Sequence, residues 1–268
     1  MASRARGFPI AEIGGVLLFA LLTSAALWFL SRNSRPNQTR LELHALLPMP
    51  NGQHAGYTTN FSIGEDPISE GGKWINGKTV GVDWSDVATI PGLANGTESG
   101  KEIGDKAYDD STALLGGSWQ PHQTVEATVR SVNQNENVFE EVELRVRSSL
   151  SAHKSTGYEV LFRCMAGAPA YASIVRWDGS LGRFTYLTQK EGLEYKLSDG
   201  DLVKATMVGT VITAYVNDTP ILQASDGTYT NGSPGMGFWL KRRSGVRSWF
   251  GYRSIRNVDY GFTRFAAW

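Results

Sequence analysis

The chain has 268 residues, with 26 Lys and Arg against 26 Asp and Glu. It therefore carries no basic footprint for nucleic acid and no strongly acidic character. A single cysteine, Cys164, cannot close an internal disulfide, so a fold outside the cytoplasm must stand on its apolar core. Thirty glycines, eight tryptophans, ten tyrosines and eleven phenylalanines favour many short strands, tight turns and aromatic packing.

The first expected element is a hydrophobic helix. No charged residue occurs from Ile13 to Leu30. At about 1.5 Å per residue that run is roughly 27 Å long, close to the ~30 Å hydrocarbon core of a bilayer. Residues 13–30 are read as a single-pass transmembrane signal anchor, after a cytoplasmic n-region or leader over 1–12. Arg4, Arg6, Arg32 and Arg35 flank it and set orientation only weakly. A removable secretory signal is the alternative, since Thr23 with Ala25, or Ser24 with Ala26, offers small residues for cleavage. The apolar run continues through Leu27, Trp28, Phe29 and Leu30, which argues for the anchor. Either reading exports residues 31–268, to the periplasm or the cell surface. Residues 31–56, with Pro48, Pro50 and Asn51-Gly52 as turn signals, read as a spacer.

Glu12 stands at the mouth of the apolar run, where an unpaired carboxylate needs a partner or an edge position. Arg6, Gly7, Phe8 and Glu12 resemble the leader of type IV pilin-like proteins, the pilins and pseudopilins. The resemblance implies cleavage after Gly7, Phe8 as the first mature residue, and Glu12 pairing with a neighbouring subunit's amino terminus. It also implies filament or secretion-system subunits as partners. Pilins usually continue this helix well past the membrane, whereas Ser34-Arg35-Pro36-Asn37 reads as a stop. The residues favour the simpler reading, in which Glu12 closes the n-region of an ordinary anchor.

Residues 57–268 read as one domain. Beyond Tyr57 the apolar positions follow the two-residue period of strands, with no convincing amphipathic helix. Strands are expected over 60–63, 80–90, 111–115, 124–132 and 138–146. Further strands are expected over 158–165, 171–177, 183–188, 202–208, 211–216 and 221–224, with 237–240 and 255–265 closing the chain. In the 138–146 segment Val138, Val142, Leu144 and Val146 face one way. Glu141, Glu143, Arg145 and Arg147 face the other, which reads as the solvated face of a half-buried strand. Asp178-Gly179, Asp199-Gly200, Val208-Gly209-Thr210, Asn217-Asp218 and Asp226-Gly227 supply turns. About a dozen short strands spaced in this way define an all-β fold, a two-sheet antiparallel sandwich or jelly roll behind one N-terminal hydrophobic helix.

Several motifs resemble those of concanavalin A-like (laminin G-like) jelly rolls. Asn60-Phe61 with Lys73-Trp74 is similar to their opening, and Ser118-Trp119-Gln120-Pro121 before Val125–Val129 to their early strand pair. Gly157-Tyr158-Glu159-Val160 is similar to a central strand, Val211–Asp218 to a hairpin, and Ser233-Pro234-Gly235-Met236-Gly237-Phe238 to the start of a late strand. The resemblance implies a fold that hosts lectins, glycosidases, lyases and passive modules, so it implies no single activity.

Glycoside hydrolysis needs two carboxylates flanking the bond, about 5–5.5 Å apart for retention and wider for inversion. Glucanases of this fold carry roughly E-x-D-x-E on one strand. The run Phe139-Glu140-Glu141-Val142-Glu143-Leu144-Arg145 places Glu141 and Glu143 on one face but has Arg145 where a third acid would stand. No catalytic residue is assigned. The four histidines, His44, His54, His122 and His153, have no ligand spacing, so no metal site is assigned. Calcium is the one cofactor the acidic groups leave open, at Asp105, Asp109 and Asp110 or at Asp199 and Asp201; turn formation explains the same residues. Cys164 reads as a buried structural thiol.

What remains is a ligand surface. Trp177, Tyr186, Trp239, Trp249 and Tyr252 offer flat aromatic faces suited to sugar rings, and Arg242 and Arg243 belong to a late basic cluster suited to an acidic glycan, lipid head groups or an acidic partner. The same tryptophans also suit a sandwich core. The chain is read as a membrane-anchored, extracytoplasmic, non-enzymatic domain that binds carbohydrate or a surface ligand. The alternatives are a pilin-like minor subunit and a polysaccharide hydrolase or lyase.

Overall fold

Alternation of apolar and polar residues resolves into fifteen strands among the described residues. The computed structural model describes residues 56–98, 110–132, 138–164, 170–242 and 257–268. The expected leader, the anchor over 13–30 and all of the spacer but Gly56 lie outside them. Among the described residues no helix is long and apolar enough to cross a membrane.

The strands are β1 (Tyr57–Thr59), β2 (Trp74–Asn76), β3 (Val87–Ile90), β4 (Leu93–Gly96), β5 (Ser111–Leu115), β6 (Gln123–Ser131), β7 (Val138–Ser151) and β8 (Lys154–Arg163). They continue with β9 (Tyr171–Gly179), β10 (Phe184–Glu191), β11 (Leu202–Val208), β12 (Val211–Val216), β13 (Thr219–Ser225), β14 (Ser233–Arg242) and β15 (Tyr260–Ala267). Two antiparallel sheets form a sandwich. One has eight strands, in the order β13-β12-β11-β6-β15-β4-β3 with β1 also on β15; the other has seven, in the order β10-β9-β8-β7-β14-β5-β2.

The inner faces are built by the two-residue period. On β6 Val125, Ala127 and Val129 are buried while Glu126, Thr128 and Arg130 are not. From the other sheet Val142, Leu144 and Val146 of β7, Tyr158, Val160 and Phe162 of β8 and Met236 and Phe238 of β14 enter the same core, where they meet Phe262 and Phe265 of β15 in the first sheet. Each of the Val, Leu, Met and Phe side chains contributes about 1.5–3 kcal/mol of burial. The turn at Asn217 and Asp218 has φ of 50° and 63° at its two central residues, the left-handed pair that a two-residue hairpin requires. Cys164 is fully buried in the core, and burial pushes its thiol well above the ordinary value.

Several boundaries differ from expectation. Residues 60–63 are not a strand: Phe61 has φ 54° and is fully buried, plugging the core from a bend. The strand expected over 80–90 shrinks to Val87–Ile90. Before it, 77–81 form one wide helical turn, held where the Lys78 N–H donates to Asp86 at 2.8 Å. A side-chain acceptor of this kind competes with the sheet ladder. The last strand starts at Tyr260, not at 255. Trp74–Asn76 and Leu93–Gly96, three and four residues long, give too short a period to be seen in sequence.

Candidate functional site

The seven-stranded sheet has a second face, directed away from the core, and β7 carries its chemistry. Antiparallel pairing aligns Glu141 with Arg163, Glu143 with Leu161 and Arg145 with Glu159 of β8. The same residues align with Trp239, Gly237 and Gly235 of β14. Paired residues share a face, so Glu141, Glu143, Arg145, Glu159 and Arg163 converge. A Cβ at Gly237 would run into the Glu143 carboxylate and crowd the Ser111 carbonyl, so the glycine leaves that carboxylate its present place.

This face is not solvated, which corrects the reading of Glu143 and Arg145 as a surface pair. Arg145 is 0 % exposed, Glu143 1 % and Glu159 2 %. Arg145 Nη2 donates to Glu143 at 3.0 Å and to Glu159 at 2.7 Å. Trp177 Nε1 also donates to Glu159, at 2.7 Å. The guanidinium lies 5.2 Å from the Trp177 ring, and Trp84 meets that ring edge-on at 6.0 Å. Tyr171 donates its hydroxyl to Glu141, and Arg163 stacks 4.2 Å over Phe139. Leu161 and Val175 complete a small apolar cluster with the two tryptophans.

Asp110, expected in a turn, is instead buried with this group; its carboxylate lies within 4.8 Å of those of Glu143 and Glu159. Arg147 leaves the alternation. A bulge after Val146 puts it at φ 46°, and its guanidinium donates to the carbonyls of Pro121, Tyr229 and Gly209. Asp199 and Asp201 do form turns, accepting from the backbone of Ser131 and Ser198.

Protonation follows from burial. Glu141 is pushed up to about 8, mainly because burial penalises its charge and although the Tyr171 hydrogen bond works the other way. Asp110 and Glu143 rise well above the carboxylate range, through burial and then through the charge of Glu159. Burial opposes the charge on Arg145, but Glu159, Glu143 and Asp110 outweigh it and raise its value. Several buried groups at this face have no hydrogen-bond partner among the described residues: Arg145 Nε and Nη1, Thr112 Oγ1, Ser173 Oγ and, packed on Trp177, Trp84 Nε1. Such groups destabilise the fold unless something else satisfies them.

The expected ligand-binding residues separate. Trp177 is buried at 2 % exposure, so it is no open platform; it orients Glu159 from within. Its ring passes contact to Phe184 at 5.2 Å and on to Tyr186 at 5.3 Å, and Tyr186 is 54 % exposed. Trp239 is half-buried, 6.2 Å from Phe139 beside Glu141. Arg242 ends β14, but its side chain lies outside the described residues, as do Arg243, Trp249 and Tyr252 and the leader residues Gly7, Phe8 and Glu12. Trp84, Asp110, Glu159, Arg163 and Tyr171 join the site from distant segments. Glu159, a charge between Tyr158 and Val160, and Arg163, between Phe162 and Cys164, carry a signal in sequence as lone charges in an apolar strand.

No family model matches the chain, and no curated protein matches it. Among solved structures it is similar to a carbohydrate-binding module from Bacillus subtilis, with a TM-score of 0.47 and 16 % identity over 66 % of this chain and 95 % of that one. It is also similar to a glycoside hydrolase family 16 endo-glucanase from Bacteroides ovatus, with a TM-score of 0.46 and 11 % identity over 79 % and 99 %. A β-glucanase from Bacillus licheniformis gives 0.43 and 11 % over 80 % and 94 %. At these scores and identities none of the likenesses assigns an activity, which rests on the residues.

Proposed function

We propose that residues 57–268 are a concanavalin A-like jelly roll that binds carbohydrate or a related polyhydroxylated surface ligand, exported and tethered through residues 13–30. One observation carries this reading. The outward face of the seven-stranded sheet holds buried, unpartnered donors and hydroxyls beside carboxylates, with aromatic rings at its margins. Sugar hydroxyls both donate and accept, and their C–H faces suit aromatic rings, so a polyol matches this mixture better than an apolar ligand does. The exposed ring of Tyr186 marks the open end.

A second reading, a polysaccharide hydrolase or lyase, is favoured by Glu141. It shares a face with Glu143 and holds its proton near neutrality, as a general acid must. The full-length protein applied to a glycan panel at low and moderate salt tests both. Binding that weakens in Tyr186→Ala, without product release, is expected; release abolished in Glu141→Gln gives the site to the enzyme. A flat response across the panel overturns both.

A further inference from the structure

Asp110, Glu143 and Glu159 bring three carboxylates together in the interior, and one guanidinium, Arg145, serves them. Glu141 is set apart, facing Arg163 across the β7–β8 pair. Three negative charges against one positive charge leave two in excess when all are ionised. Burial of an uncompensated charge costs several kcal/mol, so the excess is neutralised by bound protons or by a cation.

The geometry suits an ion. One ligand oxygen from each carboxylate lies within 4.8 Å of the others. Two oxygens on a single Ca²⁺, each at about 2.3–2.6 Å, are never more than about 5 Å apart. A separate observation adds a fourth oxygen. Thr112 is fully buried, and its Oγ1 has no partner among the described residues. It pairs with Gly237, which pairs in turn with Glu143, so the hydroxyl lies in the same cross-strand row and on the same face. Gly237 puts no side chain between them, and the Glu143 carboxylate lies over that glycine. Asp110 stands two residues before Thr112.

We propose that Asp110, Glu143 and Glu159, with the Thr112 hydroxyl, form a site for one hard divalent cation of the Ca²⁺ type on the outward face of the seven-stranded sheet. All donors are oxygens, with neither His nor Cys among them, which excludes a preference for soft metals. Arg145 remains compatible, because each carboxylate has two oxygens and Nη2 engages only one on Glu143 and one on Glu159. Among these four side chains the charges then close: three negative against one arginine and one divalent ion.

The test uses the full-length protein stripped with a chelator and then titrated with CaCl₂ by calorimetry, with thermal unfolding followed in parallel. One equivalent binds, and at about a hundredfold excess over Kd the Tm rises by roughly 5–10 °C. Asp110→Asn and Glu143→Gln each weaken binding by about 10–100-fold. Without calcium Asp110→Asn melts no lower than the stripped wild type, since it removes excess buried charge, and this separates loss of the site from loss of the fold. Glu126→Gln, on the other sheet, keeps the wild-type response. Absence of any calcium-dependent rise in the wild type, or an undiminished rise in both site variants, overturns the proposal and leaves protons as the neutralising charge.

Discussion

The outward faces of the two sheets come from the same kind of sequence and end in opposite states. On the eight-stranded sheet β6 alternates Val125, Ala127 and Val129 with Glu126, Thr128 and Arg130. The charged residues there make open ion pairs: Arg264 with Glu126 at 3.4 Å, side chains 52 % and 17 % exposed, and Arg130 with Asp199 at 3.9 Å, 42 % and 51 %. On the seven-stranded sheet β7 alternates Val142, Leu144 and Val146 with Glu141, Glu143 and Arg145, and the charged side is as dry as the core. Period two therefore reports which residues share a face. It does not report whether water reaches that face, and the energetics of the two charged faces differ accordingly.

Removing one arginine from each face breaks the comparison most strongly. Arg145→Leu leaves Glu143 and Glu159 buried without their cation and is expected to cost about 3–5 kcal/mol in urea unfolding. A change of less than about 1 kcal/mol would show that water reaches the cluster.

A pH series sharpens the contrast. Glu141 has a folded value of about 8 against 4.5 for the free side chain, so between those values the folded state holds a proton that the unfolded chain releases. Its contribution is complete below about pH 4.5 and is lost as pH rises toward 8, at up to about 1.4 kcal/mol per pH unit. In the chelator-stripped protein Asp110 and Glu143 act in the same direction. Stability of the wild type should fall across this window, and Glu141→Gln should flatten the fall; an unchanged slope would remove Glu141 as its source. The smallest effect belongs to the open face. Arg264→Ala should cost about 0–1 kcal/mol, and that cost should shrink further in high salt.

Much of the sandwich was legible because strand alternation is a local signal. The pairing of Val142, Leu144 and Val146 against the acids, the Asn217-Asp218 turn and the buried Cys164 all followed from nearest neighbours in the chain. Short strands such as Trp74–Asn76 did not, because three residues contain barely one period. At the site, Glu141 and Glu143 stood out through their spacing, whereas their environment did not. Asp110, Trp84 and Tyr171 arrive from separate segments, and nothing in their own neighbourhoods marks the meeting.

The amino-acid sequence by itself determined an aromatic-rich, all-β body with Glu141, Glu143 and Arg145 on a common side of one strand. That follows from the fixed geometry of an extended backbone, which sends alternate side chains to opposite faces. Only the tertiary structure decided that these side chains are buried, that Asp110 and Glu159 crowd around Arg145, and that Trp177 lies within rather than on the surface. Desolvation depends on what packs over a group from elsewhere in the chain, and a local pattern carries no record of it.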